Sequence, residues 1–225
     1  MPNTLAHYGI QALTTRALLG ATDLKWVFLG CVIPDLPWIL RRIISGLLPE
    51  VNVYDLRLYV MVQASLIFCL LIAAAFAACT VQPWKVFSIL SLNSLLHLLL
   101  DAMQTKWANG VHFFAPVSWE LLNFGWFWPE SLPTYVLTAL GLLVLLWKWR
   151  ETITKPPNLS FSFGQRSLLA IILLFGYMLL PLIALEGPEA ANAHFIKTLK
   201  DRENRAGRLI EFDRNDYKNT HKAIR

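Results

Sequence analysis

Three polar side chains lie one helical turn apart in a strongly apolar stretch of this chain. Asn93, His97 and Asp101 occur at four-residue spacing within LNSLLHLLLDAM, residues 92–103. On a helix they share one face, and apolar residues fill the other faces. Ionisable groups inside a spanning helix usually face a cavity, a partner or a metal. The pair of His97 and Asp101 offers one nitrogen and one oxygen ligand, which suits a metal such as zinc.

Two ligands do not make a metal site, and the chain offers few others. His7 and His112 are the histidines that remain outside the C-terminal tail, and Asp35 is the other acidic residue in an apolar run. Asp35 stands between Pro34 and Pro37, where the backbone is interrupted and a side chain could line a pocket. Each histidine also has a simpler interpretation, His7 as an interfacial residue and His112 as a loop residue.

The central residues also have simpler interpretations. His97 and Asp101 can hydrogen-bond to each other and to Asn93, and in this way join two helices. Asp35 can be the N-cap of a helix that begins at PWILRR. The sequence alone leaves both alternatives open beside the metal hypothesis.

The elements that would position these residues are membrane helices. Of the 225 residues, 56% are hydrophobic and only 16% are charged, against about 25% in soluble domains. The mean hydropathy is +0.47, and several apolar runs approach the roughly 20 residues that a spanning helix needs. We predict an integral membrane protein of the all-α class whose partner is the lipid bilayer.

Other features exclude several classes of protein. The start of the chain lacks the basic n-region of a signal peptide. Cys31, Cys69 and Cys79 have no CxxC or CxxH spacing, so they are expected to be small apolar residues. The net charge of +5 comes without interleaved basic and aromatic residues, and we therefore predict no nucleic-acid partner.

Four apolar runs predict spanning helices, at residues 57–80, 84–103, 131–149 and 167–185. Before them, residues 1–23 predict a short interfacial helix, and the Pro-Asp-Leu-Pro interruption makes a continuous helix over residues 24–46 unfavourable. We expect a membrane-embedded helical domain, residues 1–185, with an interfacial or re-entrant N-terminal region. A polar extramembrane tail, residues 186–225, follows, and its segment GRLIEFDR has the alternation of a half-buried strand.

Loop charge predicts the orientation of the spans. The link at residues 148–166 is basic and is expected to be cytoplasmic, whereas the aromatic loop at residues 104–130 is expected on the other face. His97 and Asp101 then lie near the outer end of their helix. Arg41, Arg42 and Arg57 disagree with this orientation, because they also would lie outside.

The segments TLAHYG, GCVIPDLPW and HLLLDAMQTKWANGVHFFAP, taken in this order, resemble a family of LexA-regulated inner-membrane metal-dependent hydrolases. That family has an N-terminal His, then G-x-x-x-PD-x-D, HRG-x-THS, H-x-x-x-D and a G-V-x-x-x-x-P stretch. The order of metal-type residues is also similar to zinc-dependent phospholipase C and to the single-strand-specific zinc nucleases. The resemblance covers roughly residues 1–120.

The resemblance implies a place in the bacterial inner (cytoplasmic) membrane and a divalent metal, with zinc expected. Carried over residue by residue, it implies that His7, Asp35, His97 and Asp101 are the metal ligands. The implied reaction is hydrolysis of a phosphoester or lipid-like substrate. His112 is a candidate catalytic proton donor on its spacing alone.

The chain departs from the family pattern at three positions. Where the family has HRG-x-THS, this chain has YVMVQASL, so Tyr59 and Ala64 replace the two histidines, and Pro37 replaces the second acid after PD. These losses argue against a cluster of two or three metals. A single site with four protein ligands is structural, since a catalytic site keeps an open position. Catalysis would need one of the four residues to be a non-ligand acid or base, or water as an added ligand.

Two functions therefore remain open. The first is a membrane-bound metal-dependent hydrolase of a phosphoester or lipid-like substrate. The second is a catalytically degenerate membrane protein, with a structural metal or none, that binds partners through its loop and tail. A transporter is disfavoured, because the sequence has no matching pair of broken helices in two halves.

Overall fold

A computed structural model describes residues 4–20, 22–48, 53–104, 110–128, 131–154 and 164–183. Over these residues the secondary structure is helical, with eight α-helices and one 3₁₀ turn, Ile33–Asp35. The helices are α1 (Thr4–Leu19), α2 (Leu24–Val32), α3 (Leu36–Leu47), α4 (Val53–Gln63), α5 (Leu66–Ala78), α6 (Pro83–Met103), α7 (Leu132–Thr154) and α8 (Gln165–Ile183). The predicted all-α class is confirmed for this part of the chain. The predicted tail and its strand-like segment lie outside it.

Two helices are long and apolar enough to cross a membrane, namely α6 and the Arg166–Ile183 part of α8. The helices α4 and α5 reach that length only as a pair, and the pair is bent by 65° at its break. The apolar part of α7, Leu132–Lys148, is shorter. The described residues therefore contain two or three candidate spans. They agree with a polytopic helical membrane protein but do not confirm all four predicted spans.

The span predicted over residues 57–80 is not one continuous helix, because the helix breaks between α4 and α5. Ser65 has an extended backbone at this point, with φ −71° and ψ 159°. Its hydroxyl donates a hydrogen bond to the Ala115 carbonyl at 2.9 Å, and the N–H of Leu66 donates to the Phe113 carbonyl at 3.0 Å. The loop after α6 thus supplies the partners that the broken helix lacks.

The helices α1 and α2 form a hairpin against α6. His7 lies beside Asp101 near the end of α6, and eight residues later Thr15 Oγ1 donates to Asn93 Oδ1 at 3.1 Å. The helix α1 therefore runs antiparallel to α6. Gly20, with φ +73°, ends α1 in a left-handed conformation that favours glycine, and α2 then returns toward the C-terminal end of α6. The predicted interfacial or re-entrant N-terminal region stays a prediction.

A close glycine contact joins α1 to α7. A Cβ atom on Gly9 would overlap the backbone of Gly141, and a Cβ atom on Gly141 would overlap the carbonyl of Leu5. Small residues at such crossings allow the backbones of membrane helices to approach closely. Since His7 lies two residues before Gly9, this contact also fixes the position of that imidazole.

The helix α8 contains a proline for which α4 compensates. Pro181 has no N–H, so the carbonyl of Tyr177 four residues earlier loses its helical hydrogen bond. Gln63 Nε2 donates to the Tyr177 carbonyl at 3.3 Å, and the Tyr59 hydroxyl donates to the Met178 carbonyl at 2.9 Å. Side chains of α4 therefore satisfy the backbone of α8 near its proline, as an apolar environment requires.

We predict that this compensation can be measured by a double-mutant cycle. Gln63→Leu should lower the free energy of unfolding by about 1–3 kcal/mol, because it leaves the Tyr177 carbonyl buried without a donor. In a Pro181→Ala background the loss should be much smaller, since alanine restores the helical N–H. Unfolding of the detergent-solubilised protein gives the four free energies. An equal loss in both backgrounds would show that Gln63 does not serve the proline.

The loop after α6 folds back onto the end of that helix. The Phe124 N–H donates to the Ala102 carbonyl at 2.7 Å, and the Trp126 N–H donates to the Met103 carbonyl at 2.8 Å. The Trp126 side chain is 69% exposed, which suits an aromatic anchor at headgroup depth. The loop therefore covers the end of α6 on which His97 and Asp101 lie.

Candidate metal centre

Four side chains that were candidates from the sequence meet at the C-terminal end of α6. His97 and Asp101 come from α6, His7 comes from α1, and Asp35 comes from the 3₁₀ turn. His7 Nε2 lies 3.4 Å from Asp101 Oδ1. His97 Nε2 lies 3.5 Å from Asp101 Oδ2 and 3.5 Å from Asp35 Oδ1. The two imidazole rings stack with their centroids 4.0 Å apart. We refer to these four residues as the His–Asp cluster.

The backbone around Asp35 directs its carboxylate to the cluster. Pro34 lies in the 3₁₀ turn and Pro37 lies in the first turn of α3, so no regular α-helix continues through this segment. Asp35 occupies the N-cap position of α3, yet its side chain makes no capping hydrogen bond. Asp35 therefore holds the N-cap position that the alternative gave it, but its carboxylate does not cap the helix and faces His97 instead.

On the polar face of α6, Asn93 joins two helices by a hydrogen bond, as the simpler interpretation of this face proposes. This amide accepts from Thr15 Oγ1 and donates from Nδ2 to the Ile89 carbonyl at 2.7 Å. His97 and Asp101 differ from it, because their nearest nitrogen and oxygen atoms are 3.5 Å apart. Hydrogen bonds of this kind are usually about 2.7–3.2 Å long. The interhelical hydrogen bond is thus one turn below the cluster and not within it.

The cluster contains buried polar atoms without hydrogen bonds. Among the described residues, no hydrogen-bond partner exists for either ring nitrogen of His7 and His97, or for Oδ1 of Asp35 and Asp101, although the two carboxylates lie 3.4–3.5 Å from the imidazoles. Buried polar groups in native proteins are nearly always paired. A bound cation would satisfy such nitrogen and carboxylate atoms together.

The distances within the cluster fit a tetrahedral metal site. Bonds of about 2.0–2.1 Å to zinc place two tetrahedral ligand atoms about 3.4 Å apart. The separations of 3.4 Å from His7 Nε2 to Asp101 Oδ1 and of 3.5 Å from His97 Nε2 to Asp101 Oδ2 are close to this value. One ligand atom each from His7, His97 and Asp101 lie within 4.8 Å of one another. These three residues form a buried group that could hold a metal ion.

Burial and charge distinguish the two kinds of side chain in the cluster. The side chains of His7 and His97 are each 1% exposed, whereas those of Asp35 and Asp101 are 15% and 19% exposed. The imidazoles are therefore enclosed, and the carboxylates are partly exposed. Imidazole nitrogens and carboxylate oxygens are together the ligand types that a divalent cation such as zinc takes in proteins.

A small apolar recess lies beside the cluster. Its lining is Ala6, His7, Ile10, Leu100, Phe127, Thr134 and Leu137. Most of these side chains are apolar, and His7 belongs both to the recess and to the cluster. The recess has a volume of about 10 Å³, which is room for about one water molecule.

His112 lies in the loop that follows α6. It is buried, and its Nδ1 lies 3.0 Å from the Trp119 carbonyl. Because a carbonyl only accepts, Nδ1 must carry the hydrogen of this bond. The metal-type group found among the described residues comprises His7, His97 and Asp101 and does not include His112. Its role as a proton donor remains a prediction.

The positions that lack the expected histidines serve packing instead. Tyr59 donates to the backbone of Met178 on α8, and Ala64 is 9% exposed at the break before α5. Sequence reasoning missed this role, and it missed the contacts of Thr15 and Gly9 that hold α1 in place. A glycine within an apolar helix was the one available signal for a close helix crossing.

Comparison of the chain with family models, with curated proteins and with solved structures finds no match. The resemblance to the LexA-regulated hydrolases rests on the quoted segments. The function of the His–Asp cluster has to be inferred from its own geometry and chemistry.

Proposed function

We propose that this protein is a membrane-bound metal-dependent hydrolase of a phosphoester. His7, His97 and Asp101 would bind one divalent cation, and Asp35 would act as the proton acceptor. The proposal rests on one observation: ligand atoms from two imidazoles and a carboxylate lie within 4.8 Å of one another in a buried site. Zinc is the metal whose ligand types and distances fit this group best.

Asp35 is assigned a role different from that of the three ligands. It comes from a separate element, and it contacts the group through His97. Catalytic zinc sites have three protein ligands and an open fourth position, whereas closed four-ligand sites are structural. The Asp35 carboxylate is partly exposed and lies 3.5 Å from His97 Nε2, so it is placed to take a proton from a water beside the group. This assignment differs from the four-ligand set that the resemblance implies.

The chain's own residues then account for the steps of hydrolysis. A divalent cation held in the cluster would polarise a phosphoryl oxygen and lower the pKa of a nearby water. Asp35 accepts one proton from the attacking water while the oxygen of that water forms a bond to phosphorus. The bond from phosphorus to the ester oxygen breaks, and Asp35 returns the proton to that oxygen. The stacked imidazoles of His7 and His97 keep the ligand atoms in position.

The depth of the cluster supports a lipid-like substrate. His97 lies six residues before the end of α6 at Met103, which corresponds to about 9 Å along a helix. A phosphoester that reaches the cluster would have its apolar portion at the depth of the bilayer.

The proposal is tested by measuring metal content and hydrolysis in the same variants. Wild-type protein in nanodiscs, loaded with Zn²⁺, should hydrolyse bis(4-nitrophenyl) phosphate or glycerophospholipids. Asp101→Asn should lose the metal and the activity together. Asp35→Asn should keep the metal and lose activity by about 10²–10⁴-fold, the usual contribution of a general base. Elemental mass spectrometry and product analysis give the two readouts.

Asp23→Asn is the matched control. Asp23 caps α2 by accepting from the Lys25 N–H at 3.0 Å, and asparagine caps helices equally well. This variant should keep both metal and activity. The proposal fails if the wild type binds no zinc, or if Asp35→Asn hydrolyses the substrates at the wild-type rate.

The second candidate function is a non-catalytic protein with a structural metal. It is favoured by the use of Tyr59 for helix packing at a position where the related family has a histidine. In that case Asp35 would be a fourth ligand of a closed site. Asp35→Asn would then lose the metal, and the zinc-loaded wild type would show no hydrolysis.

A further inference from the structure

The helix α3 is amphipathic, and the described part of the chain leaves its apolar face exposed. Leu40, Ile43 and Leu47 follow one another at helical spacing and are 44%, 51% and 74% exposed. Arg41 and Ser45 lie on the opposite face of the helix. An apolar stripe of this kind in a protein core would be buried. Its exposure beside a polar face is typical of a helix at a membrane interface.

The position of α3 agrees with the level of such an interface. The helix begins directly after Asp35, whose carboxylate contacts His97. His97 lies about 9 Å along α6 from the C-terminal end of that candidate span. This distance is similar to the depth of about 5–10 Å to which interfacial helices bury their apolar face. With 12 residues, α3 is about 18 Å long and too short to span a bilayer.

The helices next to α3 do not all run in the direction of the candidate spans. The helix α3 packs against α4, and α4 is bent by 65° from α5. The helix α4, against which α3 packs, therefore departs from the direction of α5. This departure occurs at the end of the bundle that holds the His–Asp cluster.

We propose that α3 lies in the membrane interface beside the cluster and that its basic side binds the phosphate groups of anionic phospholipids. Arg41 stacks over the Trp38 ring at 5.8 Å, and Arg42 is exposed. Guanidinium groups bind phosphates in a bidentate manner, and tryptophan is enriched at this depth. The acyl chains of the same leaflet cover the exposed apolar face of α3.

This placement identifies a substrate class for the cluster. An anionic glycerophospholipid held by the basic side of α3 has its phosphodiester at the level where α3 begins, next to Asp35. This consequence rests on the proposed hydrolase function, whereas the interfacial position of α3 and its lipid binding do not.

Spin labels on the two faces of α3 test its position. The labels are attached at Ile43→Cys or Ser45→Cys in a Cys79→Ser background, since Cys31 and Cys69 are buried. In liposomes, the label at residue 43 should be accessible to oxygen dissolved in lipid, and the label at residue 45 to a water-soluble nickel complex. If both labels are accessible to the nickel complex, or both only to oxygen, the proposal is overturned.

Lipid binding by metal-free protein tests the basic side. Arg42→Gln should reduce the preference for phosphatidylglycerol over phosphatidylcholine about fivefold, the effect of one basic residue at an anionic surface. Lys85→Gln is the matched control, because it removes an exposed charge from the first turn of α6, at the opposite end of that helix. Native mass spectrometry of the bound lipids measures the preference. Equal preferences in both variants would overturn the binding role, even if zinc-dependent hydrolysis were found.

Discussion

Replacing His97 with alanine should remove the bound metal together with the stability that depends on it. His97 Nε2 is 3.5 Å from both Asp35 Oδ1 and Asp101 Oδ2, so this ring connects the two carboxylates. Without it, the cluster has one imidazole from α1 and two carboxylates that repel each other. Metal affinity should therefore fall more in this variant than in Asp35→Asn, which leaves all three proposed ligands intact.

The expected effect on stability is large. A ligand present at about 1,000 times its dissociation constant stabilises the folded state by about 4 kcal/mol. For a domain of this size, that corresponds to a change in melting temperature on the order of 10 °C. A strong chelator should lower the melting temperature of the wild type by this amount and leave that of His97→Ala unchanged. Thermal unfolding in detergent, with and without chelator, measures both.

Asn93→Ala distinguishes loss of metal from loss of helix packing. Asn93 lies on the same face of α6, one turn below His97, and joins α1 to α6 through Thr15. Its replacement should lower the melting temperature but leave the metal content and the response to chelator intact. If His97→Ala behaved like Asn93→Ala, and chelator had no effect on the wild type, the whole polar face would be structural.

The part of the site on α6 was predictable from the sequence, because it depends on local spacing. His97 and Asp101 lie four residues apart, and any helix places them on one face. Asp35 was identifiable because two prolines interrupt an apolar run around it. His7 has no such signal, since one histidine in a mixed N-terminal segment is compatible with many positions. It was assigned to the site only through the resemblance in the order of segments.

The break between α4 and α5 was not predictable, because its cause lies elsewhere in the chain. Residues 57–80 form one apolar run without proline or glycine, so local preference favours a continuous helix. The break depends on the Ser65 hydroxyl, which bonds to the Ala115 carbonyl fifty residues later. Similarly, the N-cap interpretation of Asp35 followed local preference, and the contact with His97 prevailed.

The contact between α1 and α7 leads to the second large effect, at a residue that has no place in the cluster itself. Gly141→Ala should weaken metal binding, because its Cβ would overlap the Leu5 carbonyl and α1 would have to move away. His7 is two residues from Leu5 and would move with α1. A ligand displaced on the order of 1 Å loses much of its bond to the metal, and we expect affinity to fall about 10–100-fold, as for other residues that orient ligands.

Gly176→Ala is the matched control, since its Cβ would meet the Leu71 side chain at an ordinary 3.6 Å. This variant should bind zinc with the wild-type affinity in competition with a chromophoric chelator. Gly9→Ala introduces the same overlap from the α1 side, against the backbone of Gly141, and should weaken binding as Gly141→Ala does. If both α1–α7 variants fold and bind zinc as tightly as Gly176→Ala, then His7 is not a ligand. The site would then have to be built from α6 and the 3₁₀ turn alone, with His97, Asp101 and Asp35 as its protein ligands.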